Sequence, residues 1–97
     1  MIKISKNIQT KLTVKHGGIT ADEITQCFAN REKSDLIDTR EDHQTDPETR
    51  WFISTTDYGR KLKIVYVFDG KNTYIKTAYA PSEEEERIYT KYAVNIN

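Results

Sequence analysis

Apolar positions along the chain change rhythm several times, and each change marks an element. Ile2 and Ile4 alternate with polar neighbours, predicting a short first strand; Ile8 and Leu12, four apart, predict a helix from about Lys6 to His16 that Gly17 can end. A second helix is announced by the capping box Thr20-x-x-Glu23, with Ile19 and Ile24 in the two positions of a hydrophobic staple. It carries Ile24, Cys27 and Phe28 inward and stops near Asn30. Leu36 and Ile37 read as a short strand, and the polar stretch Thr39 to Thr49, which lacks periodicity, reads as a mobile, exposed loop. From Arg50 to Ala80 the period falls to two, with Tyr58-Gly59 and Asp69-Gly70 as hairpin signals between three β-rich runs. A second capping box, Ser82-x-x-Glu85, opens a last helix with Ile88, Tyr89 and Tyr92 on its apolar side.

Two-residue loops at both turns would set Ile53, Ile64 and Ile75 side by side, and Lys63 opposite Lys76. Trp51, Ile53, Leu62, Ile64, Tyr66, Phe68 and Ile75 would then share a core face. Phe52, Ser54, Lys61, Lys63, Val65, Tyr74, Lys76 and Ala78 would share the other. A four-residue second loop, Asp69 to Asn72, would instead bring Lys63 opposite Ala78. The expected fold is a single α+β domain over residues 1–97. It has an antiparallel sheet with a three-stranded meander at about 50–80, two N-terminal helices on one face, a C-terminal helix, and a partly open second face.

Charge changes this picture by its distribution. Fifteen basic and fifteen acidic residues cancel, yet residues 51–80 carry five positive against two negative and residues 38–50 two against five. Like charges opposite one another in a ladder cost stability, a cost most easily tolerated where an anion binds; a solvated face with splayed ammonium groups is the plainer alternative. The single cysteine, Cys27, reads as core rather than nucleophile and suits a reducing compartment. One cysteine and two distant histidines offer no zinc spacing, so neither metal nor cofactor is expected. No apolar run approaches the ~20 residues of a membrane span, and the expectation is a cytoplasmic protein without membrane partners.

Several short motifs, in order, resemble the BrnT family of type II toxins. They are Lys15-His16-Gly17, Ile19-Thr20 with Glu23, Phe28, Asp42-His43, Trp51-Phe52-Ile53, Gly59-Arg60, and Ile75-Lys76-Thr77-Ala78 leading into a Glu-rich helix. The similarity spans roughly Lys11 to Tyr92; Thr77-Ala78-Tyr79 stands where the family usually has Ser-Ala-Arg. It implies a RelE/ParE-like fold, with RNA held by the sheet side away from the helices and by the C-terminal segment. It also implies RNA cleavage and neutralisation by a separate DNA-binding antitoxin.

Metal-independent cleavage of RNA needs a base near the 2′-hydroxyl, cations around phosphorus and an acid for the leaving oxygen. The residues available for those roles are Lys63, Lys76, Arg60, Tyr79 and His43, with His16 and Glu85 behind them. His16 also suits a helix C-terminus, and His43 a solvated loop position. Lys61, Phe52 and Tyr74 are the RNA-binding candidates, because single strands are held by aromatics beside cations; burial under the last helix or a partner is the alternative for the two rings. Trp51 is expected to pack. A non-catalytic module that binds protein or nucleic acid through the same face is the competing expectation.

Overall fold

The computed structural model describes residues 1–39 and 46–96. Its elements run β1 (Ile2–Lys3), α1 (Lys6–Val14), α2 (Ala21–Ala29), β2 (Leu36–Ile37), β3 (Thr49–Thr55), β4 (Lys61–Phe68), β5 (Thr73–Tyr79) and α3 (Glu83–Tyr92). Both anticipated capping boxes form. Thr20 and Ser82 each accept from the amide three residues on, and Glu23 and Glu85 each return to the cap amide. α1 is capped by Ser5, whose hydroxyl accepts from the Ile8 amide. No helix among the described residues is long and apolar enough to cross a membrane.

Among the described residues the strands form one five-stranded sheet in the order β1-β5-β4-β3-β2, which with the three helices makes an α+β fold. The sheet is mixed rather than antiparallel, because β1 lies parallel to β5. Each edge is a two-residue strand, β1 pairing with Thr73 and Tyr74 of β5 and β2 with Arg50 and Trp51 of β3.

The register differs from the one expected of two-residue loops. Thr55 faces Lys61, and the Thr56 amide donates to the Arg60 carbonyl at 2.9 Å, so Asp57, Tyr58 and Gly59 form a three-residue loop. Gly59 supplies the positive φ of 84° that such a loop requires at its last position. Three residues in place of two shift β3 by one against β4, which sends every β3 side chain to the face opposite the expected one. At the second hairpin Phe68 faces Thr73 across the four-residue loop Asp69 to Asn72. A bulge between Val65 and Tyr66 then adds one more residue on β5, and Lys76 is that extra, unpaired residue. Lys63 therefore faces Tyr79 on β5 and Ile53 on β3, and neither Lys76 nor Ala78. The three isoleucines do not form a row: Ile64 and Ile75 are buried on the α1/α2 side, and Ile53 lies on the other.

One face of the sheet presents Phe52, Leu62, Ile64, Tyr66, Ile75 and Ala78 to Leu12, Ile24, Cys27 and Phe28 of the two N-terminal helices. Phe28, Phe52 and Tyr66 meet edge to face with centroids 4.8–5.9 Å apart, an arrangement favoured by the ring quadrupoles. Cys27 is fully buried, and burial pushes its thiol up to about 11, which leaves it a packing residue. The opposite face is not open. α3 lies across it, with Tyr89 against Trp51 at 5.7 Å and the Tyr89 hydroxyl donating to the Ser34 carbonyl at 2.8 Å.

Phe52, a candidate for base stacking, is thus 0% exposed inside the helix-side core. Truncation to Ala should cost about 3–5 kcal/mol of unfolding free energy in urea titrations, whereas a ring reserved for a ligand would leave stability almost unchanged.

Candidate functional site

α3 begins where β4 starts and β5 ends, and the geometry of its capping box decides what meets there. The box turns the Glu85 side chain back toward the helix start, so that its Oε1 accepts from the Ser82 amide at 2.9 Å. Oε2 is left facing the sheet. It accepts from Lys63 Nζ at 2.6 Å and from the Tyr79 hydroxyl at 2.9 Å. Lys63 is only 6% exposed. Its ammonium sits 4.4 Å from the centroid of Trp51 and 5.5 Å from that of Tyr79, both within the range of cation–π attraction. Lysine, tyrosine, carboxylate and indole therefore form one contiguous cluster, which Lys63↔Tyr79 pairing and the α3 cap assemble from three separate stretches of chain.

Partial burial acts first on the Glu85 carboxyl and raises its pKa. It is outweighed by the bonds from Lys63, the Ser82 amide and Tyr79, with the Lys63 charge behind them, and the net value falls to about 2. A carboxylate held that low is a firm anion and a weak proton acceptor. In the free protein Glu85 neutralises Lys63 rather than serving as a base. Its neighbour repeats the pattern at the rim, where Glu86 meets Lys61 Nζ at 2.5 Å. The first turn of α3 thus places two carboxylates on the two lysines that alternate along β4.

The remaining candidates divide sharply. Arg60 is committed elsewhere: its Nη1 reaches both Glu23 oxygens at 3.2 Å, and its Nη2 donates to the Gly17 carbonyl at 2.9 Å and the His16 carbonyl at 3.4 Å. It welds the first hairpin to the end of α1 and the cap of α2, and it is not a free cation for phosphate. Desolvation pushes the Glu23 carboxyl up, but the Thr20 amide and Arg60 outweigh it and hold it below its usual value. Lys76 is exposed at the β5 bulge and is not opposed to Lys63. Tyr74 is 39% exposed beside β1. It lies five residues, about 16 Å of strand, from Tyr79, too far to join the cluster. His43 lies outside the described residues, as do Glu41 and Asp42.

His16 comes in from the end of α1. Its ring centroid is 5.9 Å from that of Tyr79, and its Nε2 is buried with no hydrogen-bond partner among the described residues. His16 and Glu85 stand in the sequence behind the leading candidates, and Trp51 is expected there only to pack. Trp51 follows from the odd loop and His16 from a contact across the fold. For Glu85 a signal existed, since a capping box fixes the direction of its own glutamate and the acidic turn complements a basic strand.

Stability should follow the Glu85 titration. Its folded pKa lies below the unfolded value, so the stabilisation is fully present above about 4.5 and is lost as pH falls toward about 2. Urea unfolding across that window should show a decline in stability that Glu85→Gln flattens, because the amide keeps the cap but cannot titrate.

Compared with known proteins, the chain matches no family model and no curated sequence.

Proposed function

We propose that the chain is a metal-independent ribonuclease of the type II toxin kind, with a separate antitoxin as partner and the Lys63 cluster as the seat of the chemistry. The observation that carries this reading is the convergence of the Lys63 ammonium and the Tyr79 hydroxyl on a single anionic oxygen, at 2.6 and 2.9 Å. Two donors of that kind, one cationic and one able to give up a proton, suit a non-bridging phosphate oxygen and a leaving 5′-oxygen. Glu85 occupies the anion position in the free protein, and a phosphate of single-stranded RNA takes it over. Tyr79, half-buried beside the cation, offers a π-face on which a base can stack, and Trp51, packed against Tyr89, backs the ammonium from within the core. His16, adjacent to Tyr79 and with a buried ring nitrogen that has no hydrogen-bond partner among the described residues, is the proton acceptor in this reading.

The resemblance supports the same reading. His16-Gly17 and Glu23, near one another in sequence, and the distant Gly59-Arg60, three of the motifs that carry it, meet at one guanidinium. A second reading, a non-catalytic binding module, is favoured by one specific observation: Lys61 and Lys63 are each already neutralised by α3.

Expression without any partner protein separates the two. A ribonuclease arrests growth and cleaves RNA in vitro, and a binding module does neither while folded. Within the first reading, Lys63→Gln and Tyr79→Phe should each lower cleavage by about 10²-fold with the circular dichroism spectrum retained. A folded Lys63→Gln chain that cleaves at the original rate places the active site elsewhere. Glu86→Gln should tighten RNA binding about two- to fivefold, the scale of a surface ion pair, by releasing Lys61. Unchanged affinity in filter binding would remove Lys61 from the RNA path.

A further inference from the structure

β2 pairs with β3 at two positions, Leu36↔Trp51 and Ile37↔Arg50. Continued back along the chain at that register, Ser34 would face Ile53 and Lys33 would face Ser54. The segment before β2 turns away instead. Lys33 bridges to Asn95, the Ser34 amide donates to the Val94 carbonyl at 2.7 Å, and the Ile96 amide donates to the Glu32 carbonyl at 3.1 Å. The Tyr89 hydroxyl stands at the fork, its proton shared between the Lys33 and Ser34 carbonyls at 3.2 and 2.8 Å, with the Ile53 amide facing it. Beyond the fork lies a hollow of about 380 Å³, at the small end of the range for pockets that hold one small molecule. Its walls are the chain that follows α2 and, on α3, Glu86 and Thr90; its floor is β3 from Ile53 to Thr55.

That floor presents unused backbone. The Thr56 amide donates to the Arg60 carbonyl across the hairpin, and backbone direction alternates along a strand, so Ile53 and Thr55 turn their amides and carbonyls outward, away from β4. Asn30 closes the far end, its Nδ2 donating to the Thr55 carbonyl at 3.0 Å. With Tyr89 at the Ile53 amide and Asn30 on the Thr55 carbonyl, the Ile53 carbonyl and the Thr55 amide are left over, on either side of Ser54. Neither has a hydrogen-bond partner among the described residues. Ser54 is 8% exposed, and its Oγ likewise has no partner among the described residues. Polar groups left unpaired in such a place cost stability unless a ligand pairs them.

One carbonyl and one amide make too short a window for an added β-strand, which needs a run of such groups. They suit a planar ligand with a donor beside an acceptor on one edge, which every nucleobase carries. The half-buried Ile53 side chain offers apolar surface beside them. Lys61 also lines the hollow, and it stands two residues, about 7 Å of strand, from Lys63. We propose that the hollow is a nucleobase-reading subsite: the Ile53 carbonyl accepts from the base, the Thr55 amide donates to it, and Ser54 adds a third hydrogen bond that helps to choose among bases. That the base belongs to an RNA whose phosphates reach Lys61 and Lys63 rests on the ribonuclease reading. The binding of a base rests on the free edge of β3.

The probes are the four ribonucleosides, which carry no phosphate, with ribose as control, titrated into the ¹⁵N-labelled full-length chain. At least one nucleoside should shift the Thr55 amide resonance saturably and slow its exchange with deuterated solvent, while ribose leaves it unmoved. Thr90→Trp, which fills the mouth from an exposed helix position, should weaken that nucleoside about tenfold or more with the rest of the amide spectrum retained. Ser54→Ala should weaken it about three- to tenfold, the scale of one hydrogen bond, and leave the urea midpoint unchanged or raised, because an unpaired hydroxyl is removed. Undiminished binding by both variants places the base elsewhere and overturns the proposal. So does a Thr55 amide that no nucleoside moves, even where Lys63→Gln abolishes cleavage. Nucleoside binding at Thr55 in a chain that cleaves no RNA sinks the ribonuclease reading and upholds the subsite. A Thr55 shift produced by an acetylated dipeptide amide, with all four nucleosides silent, assigns the edge to a peptide and likewise overturns the proposal.

Discussion

Thr56 and Arg60 close the first hairpin over Asp57, Tyr58 and Gly59, and the odd length of that loop governs the rest of the molecule. Because side chains alternate with a period of two, one residue in the loop exchanges the two faces of β3. Phe52 therefore enters the core between Phe28 and Tyr66, and Trp51 is delivered to the other face, over Lys63 and against Tyr89. Had β3 been shifted by one, Trp51 would have been buried under α2 and Lys63 would have had no indole to sit on. The β5 bulge makes a second, smaller correction that brings Tyr79 rather than Ala78 beside Lys63.

Arg60 ties this hairpin to the helices. Its side chain joins Glu23, inside the α2 capping box, to the carbonyls of His16 and Gly17. Gly17 is required there: an added Cβ would come within 3.0 Å of the Arg60 Nη2, and its φ of 75° disfavours any side chain. The same clamp fixes the end of α1, from which His16 reaches Tyr79. The scaffold on the helix side thereby sets the position of a ring at the edge of the candidate site.

On the other face, electrostatics and packing cooperate. α3 has four consecutive glutamates in its first turn, a placement favoured by the positive end of the helix dipole. Two of them, Glu85 and Glu86, land on lysines of β4. A buried ammonium such as Lys63 is tolerable only with a partner at hydrogen-bond distance and polarisable neighbours, and it has both. Tyr89 anchors the middle of α3 by filling the space over Trp51 and bonding to Ser34. The helix is thus seated by one turn of charge and one aromatic side chain, with an apolar stripe left over on its flank.

Local chemistry in the sequence determined the order of the elements, the two capping boxes, the burial of Ile24, Cys27 and Leu12, and the α+β class. Each of these depends on residues within a few positions of one another, where hydrogen-bond geometry and apolar period act directly. Lys63, Tyr79 and Lys61 were also recognisable as chemically promising, because cations and a hydroxyl on short strands are visible as letters. Which of them meet was decided only by the tertiary structure. The parity of a loop, the extra residue of a bulge and the direction of a capping glutamate each change long-range pairing by one residue or one face while leaving local propensity almost untouched. Tyr58-Gly59 favours a turn equally well with a loop of two or three residues. The choice of three came from what β3 then buries, the whole of Phe52 against Phe28 and Tyr66, and from the clamp that Arg60 can make only when it stands beside Thr56 at the hairpin's close.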